Sequence, residues 1–293
     1  MMVIIILKKN EIVFFKILVK LEISKIKYKY FQMDYKFKNE NHDFWLTRLN
    51  KNHPSSVCTN DVALDQLESD QIINAVKNDQ SILEIGCGNG LLYQQICDKY
   101  KLTRYLGTDF VNDLIENCLK KKRSDLHDFM QLDMTEVDKK TFKEKFDLII
   151  SKRAVQNVID QKLQLEVIDN LGQYLNKDGA MILVESSSTA QKNINLIRKK
   201  YQLDEINPPF HNLFFDDKIL KNYKFKNVFL EKIIPFASDF YYITRFIYAR
   251  YANEYLNETP NYEHPLQKIA LTMSENSTKD FSQIQTYIFK KKI

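Results

Sequence analysis

From about Asp61 onward the apolar positions of the chain switch repeatedly between two periods. Residues 65–77 place Leu67, Ile72, Ile73 and Val76 at helical intervals, and 81–85 is a short apolar run of strand length. Residues 91–100 read as a helix, 105–110 as a strand closing on Asp109, and 112–122 as a helix. A weak strand over 128–132 runs into Asp133, a strong one follows over 146–150, and 161–175 is an amphipathic helix. A turn over 176–179 then leads into a buried strand over 179–185. Strands that alternate with helices of these lengths imply parallel pairing with crossover helices, the doubly wound α/β plan.

After Glu185 the rhythm changes. Residues 189–201 read as a helix, 207–217 as irregular, and 228–234 and 283–289 as two strands able to pair antiparallel at the sheet edge. Between those strands lies 236–277, tyrosine-rich and mostly helical in pattern, which is long for a hairpin loop and of a length that often forms a lid or binding element. The organisation expected is an extension over 1–32 and one domain over 33–293, with a cofactor-binding core near 61–186 and substrate-side elements near 187–282. Phe44, Trp45 and Arg48 begin a helix that either covers the cofactor or simply packs.

The extension is apolar over 1–7, but Lys8 and Lys9 follow that stretch, the reverse of a signal peptide. It reads either as a basic amphipathic membrane-surface segment or as an upstream translation of a chain that starts at Met33. No run is long and apolar enough for a transmembrane span.

Composition sharpens this plan at a few points. Of 293 residues, 44% are hydrophobic and 28% charged, enough to bury a sizeable core. The net charge of +5 resides in the first 32 residues, so the body is neutral and lacks the broad positive field of a dedicated nucleic-acid binder. Cys58, Cys87, Cys97 and Cys118 form no CxxC pair and have no interleaved histidines, so no metal site is expected, and reduced thiols suit a cytoplasmic protein. The chain has only six glycines, and three of them are Gly86, Gly88 and Gly90.

Those three stand in Leu83-Glu84-Ile85-Gly86-Cys87-Gly88-Asn89-Gly90, between a predicted strand and a predicted helix. Glycines there let a ligand approach the backbone, because no Cβ intervenes. A dinucleotide fingerprint, GxGxxG, needs glycine at position 91, where this chain has Leu91. The pattern is GxGxG with an acid two residues ahead. Asp109 closes the next strand, where a carboxylate can accept hydrogen bonds from ribose hydroxyls, and Asp133 closes the third, where an acceptor can meet an adenine amino group.

On these motifs, in this order, the sequence resembles the class I S-adenosylmethionine-dependent methyltransferases. The fourth strand Phe146-Asp147-Leu148-Ile149-Ile150 and the turn Leu175-Asn176-Lys177-Asp178-Gly179 extend the likeness, which covers roughly 45–185. The resemblance implies a Rossmann-like sheet of seven mostly parallel strands with an antiparallel last strand, here with a helical insertion before it. S-adenosyl-L-methionine would lie across the carboxyl ends of the strands. Glu84 would sit near its methionine end with Gly86, Cys87, Gly88 and Gly90 beneath, Asp109 would hold the ribose, Phe110 would flank the adenine, and Asp133-Met134 would face the amino group. Ser151, Lys152 and Arg153 would line the pocket after the fourth strand, although the two cations read equally well as surface charge.

The family has no universal catalytic residue, since methyl transfer from a sulfonium chiefly requires positioning and exclusion of water. Asn207-Pro208-Pro209-Phe210 has the form of the motif by which methyltransferases of nucleobase amines grip their substrate, but that motif belongs at the mouth of the fourth strand, and here it lies beyond the fifth. Arg198, His211-Asn212-Leu213 and Tyr241-Tyr242-Ile243-Thr244-Arg245 resemble elements of methyltransferase-domain proteins encoded among surface-polysaccharide genes. That likeness implies a small-molecule methyl acceptor, in its sharpest form a sugar hydroxyl, contacted by Arg153, Asn212, Tyr241, Tyr242 and Arg245. His211 is the candidate general base. Two alternatives stand beside this one: N-methylation of an amine or protein side chain, and a cofactor-binding regulatory module without turnover. The sequence sets no oligomeric state.

Overall fold

The computed structural model describes residues 40–48, 59–273 and 281–292. The extension over 1–32, Met33, His53 and Cys58 lie outside them. Residues 40–48 form a first helix, α1, in which the Phe44 and Trp45 rings meet edge to face at 5.0 Å. No helix among the described residues is long and apolar enough to cross a membrane.

The body is built on seven strands: β1 (Ser81–Ile85), β2 (Arg104–Asp109), β3 (His127–Gln131), β4 (Phe146–Lys152), β5 (Leu175–Ser186), β6 (Val228–Pro235) and β7 (Ile284–Lys291). Their spatial order is β3-β2-β1-β4-β5-β7-β6. Strands β1 to β5 pair in parallel, while β7 is antiparallel to both β5 and β6, as expected from the sequence. Residues one apart on a strand face opposite sides of the sheet, and both sides are apolar. Ile82, Ile150 and Val184 belong to one core, and Leu83, Ile149 and Leu183 to the other. Sheets buried on both faces read as continuous apolar runs, which is why β1, β4 and β5 stand out in the sequence.

Helices cover the two faces. The first core receives α2 (Val62–Ile73), α3 (Leu91–Lys99), α4 (Asn112–Leu119) and α6 (Ser188–Lys200), and the second receives α5 (Gln161–Gly172) and α7 (Asp217–Asn222). Side-chain caps begin several of them: Asp61 accepts from Leu64 N at 3.0 Å, Asp160 from Leu163 N at 2.8 Å and Ser187 from Ala190 N at 3.1 Å. Between β6 and β7 the insertion forms a helical stretch over 238–256 followed by α10 (Pro265–Met273). Within that stretch, α8 (Ser238–Tyr242) and α9 (Tyr248–Tyr251) each run into a wide π-helical segment, Ile243–Ile247 and Ala252–Leu256 respectively.

One boundary differs from expectation. Strand β5 begins at Leu175 rather than at Gly179, because Leu175 already pairs with Phe146 and the register then jumps so that Ala180 pairs with Leu148. The turn read over 176–179 is therefore a bulge inside the strand, held by Asn176 Nδ2 donating to Asp147 Oδ1 at 2.6 Å. In this strand order the chain departs in opposite directions from β1 and β4, which makes the crevice at their carboxyl ends the place where an open α/β sheet binds ligands.

Candidate functional site

At the end of β1 the chain passes through Gly86, Gly88 and Gly90 with φ of 72°, 53° and 73°, all in the left-handed region. Gly86 is further constrained by its surroundings, since a Cβ there would lie 2.2 Å from the Ala154 Cβ, in the turn after β4. The loop is tied down by its own amides. Cys87 N–H donates to Thr108 O at 2.8 Å, Gly88 N–H to Asp109 Oδ2 at 2.9 Å and Gly90 N–H to Cys87 O at 2.9 Å. Asp109 also accepts from Val111 N–H at 3.0 Å through Oδ1, so one carboxylate joins the loop to the end of β2. Burial raises the Asp109 pKa, and those amides oppose the rise.

Glu84 is buried in β1, where the Tyr105 hydroxyl donates to its Oε2. Burial pushes its carboxyl up to about 8, a rise that Lys152 opposes and Asp109 adds to. Asp133 stands just past β3 and caps a short turn, accepting from Thr135 N at 2.9 Å and Thr135 Oγ1 at 2.6 Å, with half-buried Met134 next in the chain. Phe110 is half-buried beyond Asp109, and its carbonyl accepts from Gln131 Nε2 at 3.0 Å. Glu84, Asp109 and Asp133 thus occupy the ends of three adjacent strands, as their sequence spacing implied.

Past β4 the three residues Ser151, Lys152 and Arg153 part company. Ser151 is fully buried and donates through Oγ to Glu185 at 3.2 Å. Glu185 also accepts from Val155 N at 3.0 Å and Gln156 N at 3.2 Å, and burial raises its pKa to about 7. Lys152 Nζ reaches Asp65 at 2.7 Å and Ser69 at 2.9 Å on α2. Arg153 adopts φ 58°, a strained value for a side chain of its size, fixed by its N–H donating to Val184 O at 2.8 Å. Arg153 lines a cavity of about 360 Å³.

That cavity is walled by α2, α6, the irregular segment after α6, and the insertion. Of the acceptor-side residues expected from sequence, Arg153, Asn212, Tyr241 and Arg245 line it. Tyr242 does not. The next residue on a helix turns about 100° away, and Tyr242 is 37% exposed, packed against Phe246 and Phe281. His211 is buried beside Asn212, and burial followed by the Arg153 charge lowers its pKa to about 4. The irregular segment reaches the mouth of the sheet because Leu213 N–H donates to Gln156 O at 2.7 Å, Phe215 N–H to Ser186 O at 2.8 Å and Asn157 Nδ2 to Asn212 Oδ1 at 2.9 Å. Asn207 and Pro209 of the Asn-Pro-Pro-Phe stretch also face the cavity.

The sequence reading passed over the acidic face of α2. Asp61 pairs with Arg245, Asp65 with Lys152, and Glu68, fully buried, lies 3.6 Å from the Arg153 guanidinium. Burial lifts Glu68 to about 7. The available signal was phase: Leu64, Glu68 and Ile72 recur every four residues, so an acid sits in the row that faces the core.

Comparison with known proteins agrees with this architecture. The model of the methyltransferase-domain family matches residues 76–228, over half of the chain. The malonyl-[acyl-carrier protein] O-methyltransferase of Acetivibrio thermocellus is 26% identical over 162 residues, covering 54% of this chain and 53% of the relative. The chain therefore spans about half the length of that curated relative. Magnesium protoporphyrin IX methyltransferase from Synechocystis, solved with bound S-adenosylhomocysteine, superposes with a TM-score of 0.51 at 12% identity, over 88% of this chain and 97% of that one. The N-methyltransferase NodS from Bradyrhizobium japonicum, in complex with S-adenosyl-L-homocysteine, gives 0.50 at 12% identity over 86% and 98%. Such distant likeness speaks for the fold alone, but together with the family match and the ordered motifs it leads to one assignment. The chain belongs to the methyltransferase-domain family, within the class I S-adenosylmethionine-dependent methyltransferases.

Proposed function

We propose that the protein binds S-adenosyl-L-methionine at the glycine loop and transfers its methyl group to a small molecule held in the adjoining cavity, in its sharpest form a sugar hydroxyl. The observation that carries this reading is the contact between the two regions. Ala154 lies so close under Gly86 that a side chain there would collide with it, while Arg153, one residue earlier, lines the cavity. A cofactor on the loop and an acceptor in the cavity are then neighbours across a single turn.

The residues fit the cofactor. Glu84 is a buried carboxyl able to receive an ammonium group, Asp109 retains acceptor capacity for ribose hydroxyls, and Asp133-Met134 with Phe110 would take the adenine. Gly86, Cys87, Gly88 and Gly90 supply the close backbone, and Ser151 braces the turn after β4 through Glu185. When bound, the cofactor supplies an electrophilic methyl group on a sulfonium, displaced in line by the acceptor. The chain's part is to orient the acceptor through Arg153, Asn212, Tyr241 and Arg245, with His211 beside them. His211 is neutral near pH 7 and can accept a hydrogen bond or a proton from an acceptor hydroxyl, although a group pushed down to about 4 is a weak base.

Isothermal titration calorimetry with S-adenosylhomocysteine tests the reading. Saturable binding at one site is expected, and no heat at tens of micromolar protein and ligand would overturn it.

A further inference from the structure

The charges around the cavity do not balance. Among the described residues, three arginines, Arg153, Arg198 and Arg245, line it against one acidic residue, Asp61. Asp61 is already committed, since its Oδ1 caps α2 on Leu64 N–H at 3.0 Å and its Oδ2 takes Arg245. Among the described residues Arg198 hydrogen-bonds to carbonyls: its Nε donates to Asp204 O at 2.6 Å and its Nη1 to the Arg245 carbonyl. Burial and the charge of Arg245 both lower the Arg198 pKa, with the Asp204 charge opposing them, so the two guanidiniums lie within each other's field. Arg153 has Glu68 as its ion-pair partner, but at 3.6 Å, and burial leaves that carboxyl partly protonated near neutral pH. Lys152, in contrast, is neutralised by Asp65 at 2.7 Å.

Buried cations are costly even beside counter-charges, and their mutual repulsion grows as the surroundings become less polar. A chain that brings three of them to one small cavity, and strains the Arg153 backbone in doing so, keeps the arrangement for a partner of opposite charge. Guanidinium groups suit planar, two-pronged contact with oxyanions. The rest of the wall suits an organic body, since the Arg245 guanidinium lies 5.4 Å from the centres of both the Tyr241 and Tyr262 rings and Phe214 stands in the same wall.

We propose that the cavity takes a small acceptor bearing an anionic oxygen group, a carboxylate or a phosphate monoester, seated among Arg153, Arg198 and Arg245. This rests on the acceptor-side reading of the cavity given above. It names a substrate class and disfavours a cationic amine, which would add to the surplus of positive charge.

The test needs no knowledge of the acceptor's body. Full-length protein, alone and saturated with S-adenosylhomocysteine, is titrated at constant ionic strength with inorganic phosphate, acetate and neutral glycerol, followed by calorimetry and by thermal denaturation. Saturable binding of phosphate or acetate is expected, with none of glycerol, and the tighter anion tells a phosphate ester from a carboxylate. Arg153→Gln should weaken the anion by about tenfold or more, the scale of one charge-assisted contact, while leaving S-adenosylhomocysteine binding and the far-UV spectrum unchanged. Arg123→Gln, which removes a surface pair with Asp98, should change nothing. Anion titrations without saturation, or equal affinity in wild type and Arg153→Gln, would overturn the inference even where S-adenosylhomocysteine binds. Loss of S-adenosylhomocysteine binding with anion binding intact would instead strike the cofactor reading alone.

Discussion

Replacing Glu84 with glutamine should stabilise the protein and impair it in one step. In the folded chain burial raises this carboxyl from 4.5 to about 8, and the Tyr105 hydroxyl donates to it. The folded state therefore holds a proton that the unfolded chain releases near pH 4.5. The stability contributed by that proton is complete below pH 4.5 and drains away as pH rises through the folded value, at about 1.4 kcal/mol per pH unit. Across the interval from 4.5 to 8 the loss sums to about 5 kcal/mol, of which about 3 kcal/mol has gone by pH 7. Glutamine mimics the protonated acid, accepts from Tyr105 and does not titrate. Its second amide hydrogen, which the acid lacks, fixes a constant offset at low pH without affecting the slope. Urea unfolding of both proteins at half-unit steps between pH 5 and 8 gives the difference directly. Glu68 and Glu185 are also raised, but they are common to both proteins and cancel. The advantage of the variant should widen steadily with pH while its affinity for S-adenosylhomocysteine falls. A difference that stays flat across that range would refute the reasoning.

Other substitutions test separate parts of the site and fold. Asp109→Ala should cost about 1.5–3 kcal/mol of cofactor binding through lost charged acceptors, and it should also loosen the glycine loop, because Gly88 N–H loses its partner. Calorimetry reads the first effect and amide exchange at Gly88 the second. His211→Gln should lower turnover, once an acceptor is in hand, and leave S-adenosylhomocysteine affinity at the wild-type value. Gly172→Ala should lower stability by about 1–3 kcal/mol by overpacking, since the new Cβ would meet Val228 Cγ1 at 2.4 Å. A denaturant midpoint equal to wild type would show that β6 yields without cost.

Much of the fold could be read from the chain because its central strands are apolar on both faces and its helices are not. The glycine loop was equally legible, since six glycines leave few places to look and the acids at the ends of β2 and β3 keep their spacing. What escaped notice was decided by partners distant in sequence. Nothing local singles out Asp61, Asp65 and Glu68, and it is Arg245, Lys152 and Arg153, arriving from other elements, that make burying them tolerable. The start of β5 was placed at 179 rather than 175, because a bulge uses the same residues as a turn. Tyr241 and Tyr242 were indistinguishable until the helix was phased against the rest of the molecule. Gly172 inside α5 is explained by Val228, far along the chain.

The wide turn over Ile243–Ile247 sets the width of the cavity. Tyr241, Thr244, Arg245 and Ala249 share the cavity wall. In an unbroken α-helix, residue 248 would follow 241 and 245 onto that wall. The π segment takes up one extra residue, so a methyl group stands where a phenol would otherwise project. Tyr248 is turned aside to stack on His264 at 4.3 Å, with its hydroxyl accepting from Asn261 N–H at 3.1 Å. Removal of a single residue from that turn would rotate the phenol inward and fill the chamber, with every named contact residue still in the sequence. The width of the cavity is therefore written into the number of residues between 241 and 249 rather than into any one of them.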